Sequence, residues 1–374
     1  MDPAKAGSLD MKTQAIRLDT YYRKHARDLP WRHTTDPYRI WVSEIMLQQT
    51  RVEAVRERYV QFLERFPHVY ALAAANLDEV RAEWSGLGYY RRARYLWEGA
   101  RYIVEQHGGV FPDNSTALQA VPGIGEYTSC AVAAIAFGEP VAAIDGNVLR
   151  VGSRVLGIDA PKNSAALRKP VKAWADAIVE NGEPSILVQA LMEIGATVCT
   201  PRSVACAKCP FGEDCIAKST LPDPTVLPTT TPKAPRSQWK GVLFAALTPD
   251  EALFLQRRPE KGLLAGLWFL PGLVGEQADL MGRLDDPASL LHSILPGATI
   301  VDAPPAVGTW QFSHIDLNAT IYRAQLPTGF NGAAGRVNPP PDWAKEALPS
   351  VTRHLLSVAD VHIGSGPTGK TSPP

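Results

Sequence analysis

Three things that this chain lacks limit what it can be. It has no excess of charge of either sign, because 38 lysines and arginines balance 38 aspartates and glutamates. A neutral chain has no global attraction for nucleic acid, so binding to DNA would need a local basic patch. It has no run of about 18 apolar residues that could span a membrane, and its N-terminus lacks the apolar stretch of a secretory signal. We therefore expect a cytoplasmic protein without a membrane partner.

Cysteine is scarce and unevenly distributed. The chain has 5 cysteines, and four of them lie between residues 199 and 215 with the spacing C-x6-C-x2-C-x5-C. Dense cysteine without a secretory signal indicates metal binding rather than disulfides. Four thiolates suit tetrahedral zinc or an iron–sulfur cluster, and the single C-x2-C pair favours the cluster. A zinc site that only holds the loop is the alternative. The candidate ligands are Cys199, Cys206, Cys209 and Cys215.

The chain is long enough for two domains, because 374 residues exceed the usual size of one. Apolar residues recur at helical spacing in residues 1–220, which predicts a helical domain. Residues 221–235 are rich in proline and threonine and are interpreted as a stiff, extended linker. Beyond it the apolar pattern alternates with a period of two, which predicts an α+β domain with an antiparallel sheet over residues 236–360. Residues 361–374 are expected to form a disordered tail.

Local signals place the elements within these domains. Asp36 followed by Pro37 is an expected helix start, since aspartate caps the first N–H groups and proline fits the first turn. In the second domain, residues 241–247 and 252–256 flank a short turn as the two strands of a hairpin do. The helical spacing predicts helices over residues 13–26, 38–50, 52–66, 77–85, 92–106 and 165–180.

Residues 118–132 (LQAVPGIGEYTSCAV) have the pattern of two helices joined by a glycine turn. The glycines of this turn, Gly123 and Gly125, permit close approach of a ligand, and the unpaired N–H groups of the second helix attract an anion. Such a helix-hairpin-helix, at about residues 115–137, can bind a DNA phosphate without a basic side chain, which fits the neutral net charge. An ordinary helical hairpin is the alternative.

Glu44 is a candidate acid. On a helix that starts at Pro37, its neighbours at i−4, i−3 and i+3 are isoleucine, tryptophan and leucine. A carboxyl group on this apolar face should lose its hydration, which raises its pKa. The alternative is an ion pair between Glu44 and a nearby arginine, Arg39 or Arg51.

Asp145 lies 20 residues beyond Gly125, at the expected start of another helix. The N-terminus of a helix lowers the pKa of a capping carboxylate and keeps it ionised. Glu44 and Asp145 would then be a pair whose pKa values are displaced in opposite directions, which is the usual arrangement of an acid and an anionic stabiliser. An aspartate that only caps its helix is the alternative.

Together these features resemble a known group of enzymes. The helix-hairpin-helix, the aspartate after it and the cysteine loop resemble the endonuclease III-like DNA glycosylase superfamily. The segments that resemble its MutY-type adenine DNA glycosylase branch are residues 29–31 (LPW), 41–50 (WVSEIMLQQT), 86–90 (GLGYY) and 191–195 (LMEIG). The resemblance implies an all-α helix-hairpin-helix glycosylase domain that binds a [4Fe–4S] cluster through the four cysteines.

The second domain resembles the Nudix-like C-terminal domain of that family through residues 262–272 (GLLAGLWFLPG) and 312–314 (FSH). It lacks the REx2EE carboxylate cluster of Nudix hydrolases, because residues 272–283 read GLVGEQADLMGR. Hydrolysis of nucleotide pyrophosphates is therefore not expected. The domain is interpreted as a reader of the lesion.

The resemblance implies a monomeric, chromosome-associated enzyme that removes adenine opposite 8-oxoguanine or guanine in double-stranded DNA, after flipping the adenine out of the duplex. Glu44 would protonate adenine N7, and Asp145 would stabilise the oxocarbenium-like sugar. Tyr127 and Asn147 would support Asp145 and the reacting sugar.

The remaining family positions also come from the resemblance. Those of the adenine pocket are Arg27, Leu29, Trp31 and Gln189. Those that fill the emptied stack and contact the opposite base are Gln49, Thr50, Leu87 and Tyr89. The loop that would read 8-oxoguanine is Phe312, Ser313 and His314, with Ser313 as the contacting hydroxyl.

Two other functions remain open at this point. A bifunctional endonuclease III-like lyase needs an amine nucleophile, and the branch with that activity has lysine at the position of Tyr127. This chain has no lysine between Lys24 and Lys162. A non-catalytic iron–sulfur DNA-binding protein is the second alternative, and it would have no use for the Glu44 and Asp145 pair.

The cysteine loop predicts a brown protein that contains iron and sulfide. Replacing Cys206 or Cys209 by serine should lower both the yield of folded protein and the affinity for DNA, because metal binding and folding are coupled. Visible absorption and metal analysis after anaerobic purification measure this. A colourless protein with stoichiometric zinc would contradict the prediction.

Overall fold

The computed structural model of the protein describes residues 10–231, 234–276, 285–330, 335–343, 346 and 348–363. The chain divides into two compact units, one of residues 1–74 and 95–232 and the other of residues 75–94 and 233–374. This division differs from the predicted one, because residues 75–94 belong to the C-terminal unit. Within the described ranges, no helix is both long and apolar enough to cross a membrane.

The first unit is helical, as the spacing of its apolar residues predicts. One helix, α5, and the first turn of α6 belong to the second unit. The helices up to residue 220 are α1 (Met11–His25), α2 (Pro37–Leu47), α3 (Val52–Arg65), α4 (Val69–Ala74), α5 (Leu77–Glu83), α6 (Arg91–His107), α7 (Ser115–Leu118), α8 (Glu126–Phe137), α9 (Gly146–Val155), α10 (Ala165–Val179), α11 (Pro184–Thr197) and α12 (Ile216–Thr220).

Helix α2 begins as predicted. The Asp36 carboxylate accepts a hydrogen bond from the N–H of Tyr38 at 2.9 Å, and Pro37 occupies the first helical position. Every residue from position 40 to position 46 is buried, so the helix runs through the core of the unit. This burial puts Glu44 among apolar neighbours.

The predicted helix-hairpin-helix is confirmed, with α7 as a short first helix and α8 as the second. The turn between them closes with a hydrogen bond from the N–H of Ile124 to the carbonyl of Val121 at 3.1 Å. Gly123 has a left-handed backbone with φ +81°, and a Cβ atom there would lie 2.5 Å from the Cβ of Tyr95. Only glycine satisfies both conditions.

Helices α9 and α11 pack closely through another glycine. A Cβ atom on Gly195 would lie 2.4 Å from the Cβ of Asn147. The absence of a side chain at Gly195 therefore lets α11 approach the first turn of α9, which is the turn that carries Asn147.

The second unit is built on a mixed sheet whose strand order is β3-β2-β1-β7-β5. In addition, β4 pairs with β1, β6 pairs with β7, and β8 pairs with β2. Its elements are β1 (Ser237–Leu247), β2 (Leu253–Arg257), β3 (Trp268–Phe269), β4 (Gly272–Glu276), α13 (Pro287–Ile294), β5 (Thr299–Ile300), β6 (Ala306–Gln311), β7 (Ile315–Gln325), β8 (Gly335–Asn338), α14 (Pro340–Trp343) and α15 (Ser350–Val358).

The α+β character of this unit and its β1–β2 hairpin are confirmed, but the expected antiparallel pairing is wrong for the central strands. Strands β1 and β7 run parallel, in register from Ser237 opposite Ile315 to Leu247 opposite Gln325. Successive β1 side chains enter two different cores, with Leu243 in the core that contains α15 residues and Phe244 in the core that contains α13 residues. A central strand that is buried on both faces suits parallel pairing.

Residues 75–94 belong to the second unit because of specific side-chain contacts. The Arg257 guanidinium of β2 donates two hydrogen bonds to the Asp78 carboxylate of α5, one of them at 2.8 Å. The Tyr90 hydroxyl donates to the carbonyl of Leu348 at 3.2 Å. These partners lie 179 and 258 residues apart in the chain. Helical periodicity, which is a local signal, could not reveal them.

The predicted linker and tail also differ from the structure. Thr229 accepts a hydrogen bond from the N–H of Lys162 at 3.1 Å, and Leu227 is 4% exposed, so residues 224–229 pack against the first unit. Val361 and Ile363 are buried in the second unit, so residues 361–363 are part of its core rather than of a tail. The remaining linker residues 232–233, the tail from 364 and the segment 277–284 at the missing Nudix box lie outside the described residues.

Candidate active site

Glu44 lies inside the first unit, with its side chain 6% exposed. The hydroxyl of Tyr127, the second residue of α8, donates a hydrogen bond to Glu44 Oε2 at 2.6 Å. Arg39, one of the two arginines considered as ion-pair partners, lies 3.6 Å from Asp36 instead. The hydrogen-bond partner of the Glu44 carboxyl is therefore a phenol rather than a guanidinium.

Burial raises the pKa of Glu44 to about 7. The hydrogen bond from Tyr127 lowers this pKa, and the negative charge of Asp145 raises it. The predicted upward shift is confirmed. A substantial fraction of the Glu44 carboxyl is protonated at neutral pH, whereas an exposed glutamate with a pKa of ~4.3 is almost fully ionised there.

Asp145 caps helix α9. Its Oδ1 atom accepts hydrogen bonds from the N–H groups of Asn147 at 2.8 Å and Val148 at 2.7 Å. Its Oδ2 atom accepts one from the side-chain amide of Asn147 at 2.7 Å. Three N–H donors favour the ionised carboxylate and hold its orientation.

The predicted downward shift of the Asp145 pKa is wrong. Burial raises this pKa above its ordinary value, and the hydrogen bonds from Val148 and Asn147 offset the effect only in part. Burial therefore displaces the pKa values of Glu44 and Asp145 in the same direction. The two carboxyl groups differ in their donors, since Asp145 accepts from three N–H groups and Glu44 from one hydroxyl.

Hydrogen bonds connect Asp145 to the cysteine loop. The Nη2 atom of Arg150 donates to Asn147 Oδ1 at 2.9 Å and to the carbonyl of Gly195 at 2.6 Å. The Nε atom of Arg150 donates to the carbonyl of Cys199 at 2.9 Å. A continuous series of hydrogen bonds thus runs from the Asp145 carboxylate through Asn147 and Arg150 to the first cysteine.

The four predicted metal ligands, Cys199, Cys206, Cys209 and Cys215, line one cavity together with Arg154 and Lys218. The Nη1 atom of Arg154 donates to Cys199 Sγ at 3.2 Å. Burial and the neighbouring sulfurs raise the pKa of Cys209 to about 12, so this thiol needs a nearby cationic centre to ionise at neutral pH. The donor set therefore fits an iron–sulfur cluster. Within the described ranges, no group of three or more His, Cys, Asp or Glu side chains is arranged to hold a single metal ion.

Arg27 is held by a residue to which the sequence analysis assigned no role. The buried Glu193 carboxylate accepts hydrogen bonds from Arg27 Nε at 2.8 Å, Arg27 Nη2 at 2.7 Å and Arg32 Nη2 at 2.7 Å. Burial alone would raise the pKa of Glu193, but these hydrogen bonds lower it to about 2. One feature of the sequence could have indicated a role for Glu193 in the adenine pocket. It lies four residues after Gln189, and this spacing puts both residues on the same face of α11.

The other three residues predicted for the adenine pocket lie on neighbouring elements of the first unit. Leu29 and Trp31 are buried, and the Trp31 ring packs edge-on against Tyr59 with 5.6 Å between ring centroids. Gln189 accepts a hydrogen bond from the Tyr22 hydroxyl at 3.2 Å. This contact joins α11 to α1, which ends just before Arg27.

Two of the residues predicted to contact DNA, Gln49 and Gly125, lie at exposed positions of the first unit. Gln49 is exposed and has a left-handed backbone with φ 57°, which is costly for a residue other than glycine and is enriched at functional sites. Thr50 follows it, with its N–H bonded to the carbonyl of Leu47 at 3.3 Å. At the start of α8, Gly125 provides no side-chain cap, and a Cβ atom there would meet nothing within 4 Å. Both sites are open to a ligand.

Leu87 and Tyr89 lie in the second unit, so the structure does not group them with Gln49. Tyr89 is 51% exposed and, like Gln49, has a left-handed backbone, with φ 46°. The Arg92 guanidinium lies over the Tyr89 ring at 5.6 Å from its centroid and donates to the carbonyl of Leu87 at 2.9 Å. Arg92 thus supports the turn that presents the tyrosine.

Phe312, Ser313 and His314 form the turn between β6 and β7. The N–H of Phe312 donates to the carbonyl of Ile315 at 2.8 Å, and Phe312 packs partly into the core of the second unit. Ser313 and His314 are exposed, with Ser313 Oγ 3.1 Å from His314 Nδ1. The partly buried aromatic ring therefore anchors a loop whose two polar side chains are exposed.

Two family models match this chain, and the match of the first includes residues 75–94 of the second unit. Residues 42–176 match the family described as HhH-GPD superfamily base excision DNA repair protein, and residues 242–358 match the NUDIX domain. A Homo sapiens adenine DNA glycosylase is 34% identical over 83% of this chain and 66% of its own length. A Rattus norvegicus adenine DNA glycosylase is 34% identical over 83% of this chain and 70% of its own length. The chain thus spans about two thirds of the length of these relatives.

Among solved structures, a thermostable thymine-DNA glycosylase superposes with a TM-score of 0.51 and 31% sequence identity. The match covers 56% of this chain and 96% of that protein. The helix-hairpin-helix fold of the first unit is therefore shared with a solved DNA glycosylase.

Replacing Glu193 by alanine should lower the free energy of unfolding by roughly 3 kcal/mol at neutral pH, because Arg32 and Arg27 lose their buried counter-charge. The Glu193 pKa is lowered from 4.5 to about 2 in the folded state, so its stabilisation is present above pH 4.5 and is lost as the pH falls toward 2. Urea denaturation at a series of pH values measures this. Glu183→Ala is the control, since Glu183 and its partner Arg23 are both 55% exposed and little change is expected. Equal effects of the two substitutions would contradict the prediction.

Proposed function

We propose, on the premise that this chain belongs to the adenine DNA glycosylase family, that it excises adenine from double-stranded DNA by hydrolysing the N-glycosidic bond. The observation that carries the proposal is the geometry of two carboxyl groups. Glu44 is buried with a pKa of about 7, and Asp145 is held by three N–H donors at the start of α9. This pair suits the removal of a base that must be protonated before it can leave.

Glu44 acts as the general acid. A carboxyl group whose pKa lies near the working pH is protonated often enough to donate and can be reprotonated after each turnover. Glu44 transfers its proton to N7 of adenine. The N-glycosidic bond then breaks, its electron pair goes to N9, and adenine leaves as a neutral base. The phenol of Tyr127 receives no proton in this step and holds the carboxyl group in position.

Asp145 stabilises the positive charge that develops on the sugar. Its carboxylate acts either as an electrostatic partner of the oxocarbenium-like sugar or by forming a covalent acetal, as the nucleophile of a retaining glycosidase does. Water then adds to C1′, which in the covalent case breaks the bond between C1′ and the Asp145 oxygen and restores the carboxylate. The water loses a proton to the ionised Glu44 carboxylate, and the abasic product remains. The Asn147 side chain fixes Oδ2 of Asp145 and is itself oriented by Arg150.

The flipped adenine binds in a pocket formed by Arg27, Leu29, Trp31 and Gln189. Apolar and aromatic side chains suit the faces of an extrahelical base, and polar side chains suit its edge. The Glu193 carboxylate supports this assignment, because it fixes the guanidinium of Arg27 and removes its freedom to rotate. The pocket is therefore organised before the base enters.

The cysteine loop holds a [4Fe–4S] cluster with a structural role, ligated by Cys199, Cys206, Cys209 and Cys215. When bound, the cluster would supply the positive charge that four neighbouring, partly buried thiolates require. Arg150 and Arg154 tie the loop to α9, so the same helix carries the catalytic aspartate and the contacts to the cluster ligands.

The DNA substrate carries adenine opposite 8-oxoguanine or guanine, and the protein acts as a monomer in the compartment that contains the chromosome. Gly123 and Gly125 bind the phosphate backbone through the start of α8. Gln49, Thr50, Leu87 and Tyr89 fill the emptied stack, and the left-handed backbones of Gln49 and Tyr89 support this role. Phe312, Ser313 and His314 read the lesion.

Replacing Glu44 by glutamine should abolish adenine release and leave duplex binding nearly unchanged, because the amide keeps the shape but has no acidic proton. General acid catalysis contributes about 10²–10⁴-fold, and more when the leaving group must be activated. Single-turnover release of adenine from a duplex with adenine opposite 8-oxoguanine measures the loss. Near-normal turnover by this variant would remove Glu44 from the role of acid.

The pH profile provides a matched test of the same assignment. Release by the wild type should fall as the pH rises through about 7, where Glu44 becomes ionised. Tyr127→Phe removes a hydrogen bond that lowers the Glu44 pKa. In this variant, the fall in the rate of adenine release at alkaline pH should therefore occur at a higher pH than in the wild type. A fall at the same pH in both proteins would mean that another group donates the proton.

Replacing Ser313 by alanine should reduce the preference for 8-oxoguanine over guanine as the opposite base only several-fold. The Ser313 hydroxyl can accept a hydrogen bond from the N7–H of 8-oxoguanine, which guanine lacks. One such hydrogen bond contributes about 0.5–1.5 kcal/mol. The ratio of kcat/KM for the two duplexes measures the preference in the full-length chain. Ser293→Ala, on an exposed face of α13, is the control. If Ser313→Ala leaves the ratio unchanged, Ser313 does not read the lesion.

A further inference from the structure

Lys162 lies beside the first residue of helix α9. A Cβ atom built on Gly146, which directly follows Asp145, would be 2.8 Å from Lys162 Nζ and 3.2 Å from its Cε. The lysine side chain is exposed. In the part of the chain that the structure describes, its ammonium group has no carboxylate within ion-pair distance. An exposed cation therefore lies beside the residue that directly follows the proposed catalytic aspartate.

The main chain at Lys162 is fixed on both sides. Its N–H donates to the carbonyl of Thr229 at 3.1 Å, and Pro161 and Thr229 form a parallel β-bridge. Two residues later, Ser164 caps α10 by accepting a hydrogen bond from the N–H of Leu167 at 3.3 Å. The position from which the lysine side chain extends is therefore set by the packed segment 224–229 and by the start of α10.

The segment 224–229 is itself anchored to α9. The carbonyl of Leu227 accepts a hydrogen bond from the Nε atom of Arg154 at 2.8 Å, and both residues are buried. Helix α9 thus holds the segment, and the segment holds the backbone of Lys162 near the other end of the same helix. The placement of the ammonium group follows from this arrangement.

We propose that Lys162 binds a phosphate of the DNA strand that carries the target nucleotide, on one side or the other of the flipped deoxyribose. The proposal rests on the proposed function, because it takes the sugar to lie against Asp145. A deoxyribose carries phosphates on O3′ and O5′, so a sugar at Asp145 brings one of them past Gly146. A lysine is a compact point charge suited to phosphate, and a chain of zero net charge must attract DNA through such local cations.

The affinity for a duplex with a tetrahydrofuran abasic analogue opposite 8-oxoguanine, measured at a series of KCl concentrations, tests the contact. Each neutralised phosphate contributes about 0.9 to the slope of log K against log salt concentration, so Lys162→Ala should reduce its magnitude by about one. Its affinity at moderate salt should fall several-fold. Lys162→Arg should keep the slope. The control is Lys169→Ala, whose side chain is exposed on α10, and it should have a smaller effect.

Neutral phosphates identify the contact directly. A methylphosphonate is placed on the 3′ or on the 5′ side of the abasic analogue, and both duplexes are measured with the wild type and with Lys162→Ala. At one of the two positions, the neutral linkage should weaken the wild type several-fold and leave the variant nearly unaffected. Equal weakening of both proteins at both positions, or an unchanged salt slope in Lys162→Ala, would overturn the proposal.

Adenine release by the wild type separates this proposal from the proposed function. If the wild type excises adenine and the slopes of the wild type and Lys162→Ala are equal, the role of Lys162 is wrong and the proposed function stands. If the wild type excises no adenine, the proposed function fails, and the salt slope still reports whether Lys162 contacts a phosphate.

Discussion

The first turn of α9 is the constraint on which the rest of the site depends. A helix begins with N–H groups that have no partner within the helix, and Asp145 supplies the acceptor for two of them. The same carboxylate is the group proposed to face the sugar. The position of α9 therefore decides the position of the Asp145 carboxylate oxygen atoms. Gly195 allows α11 to pack against this turn, and Arg150 ties it to the cysteine loop.

Burial and hydrogen bonding together separate the roles of the two carboxyl groups. Glu44 is buried and Asp145 is partly buried, and desolvation raises the pKa of each. Three N–H donors stabilise the charge on Asp145, whereas Glu44 has one hydroxyl donor and the repulsion of a neighbouring carboxylate. The roles proposed for the two groups, an acid and an anion, therefore rest on the different number of donors and not on environments of opposite polarity.

The segment after the cysteines contributes to the structure of the first unit. One guanidinium, that of Arg154, donates to Cys199 Sγ, to the carbonyl of Thr200 and to the carbonyl of Leu227. The cysteine loop and the proline-rich segment are thus bound to the same buried charge. Hydrogen bonds thus connect the loop to the segment through Arg154, and the segment to the backbone of Lys162.

The sequence by itself determined the elements whose signals are local. Helical periodicity, the start of α2 at Asp36 and the glycine turn of the helix-hairpin-helix involve residues within a few positions of each other, so they can be identified without a fold. The tertiary structure alone decided the pairing of Arg27 with Glu193, which lie 166 residues apart, and the assignment of residues 75–94 to the second unit. The tertiary structure also decided that the pKa of Asp145 is raised rather than lowered. Desolvation depends on which elements pack around a group, and a sequence does not state how closely distant segments pack.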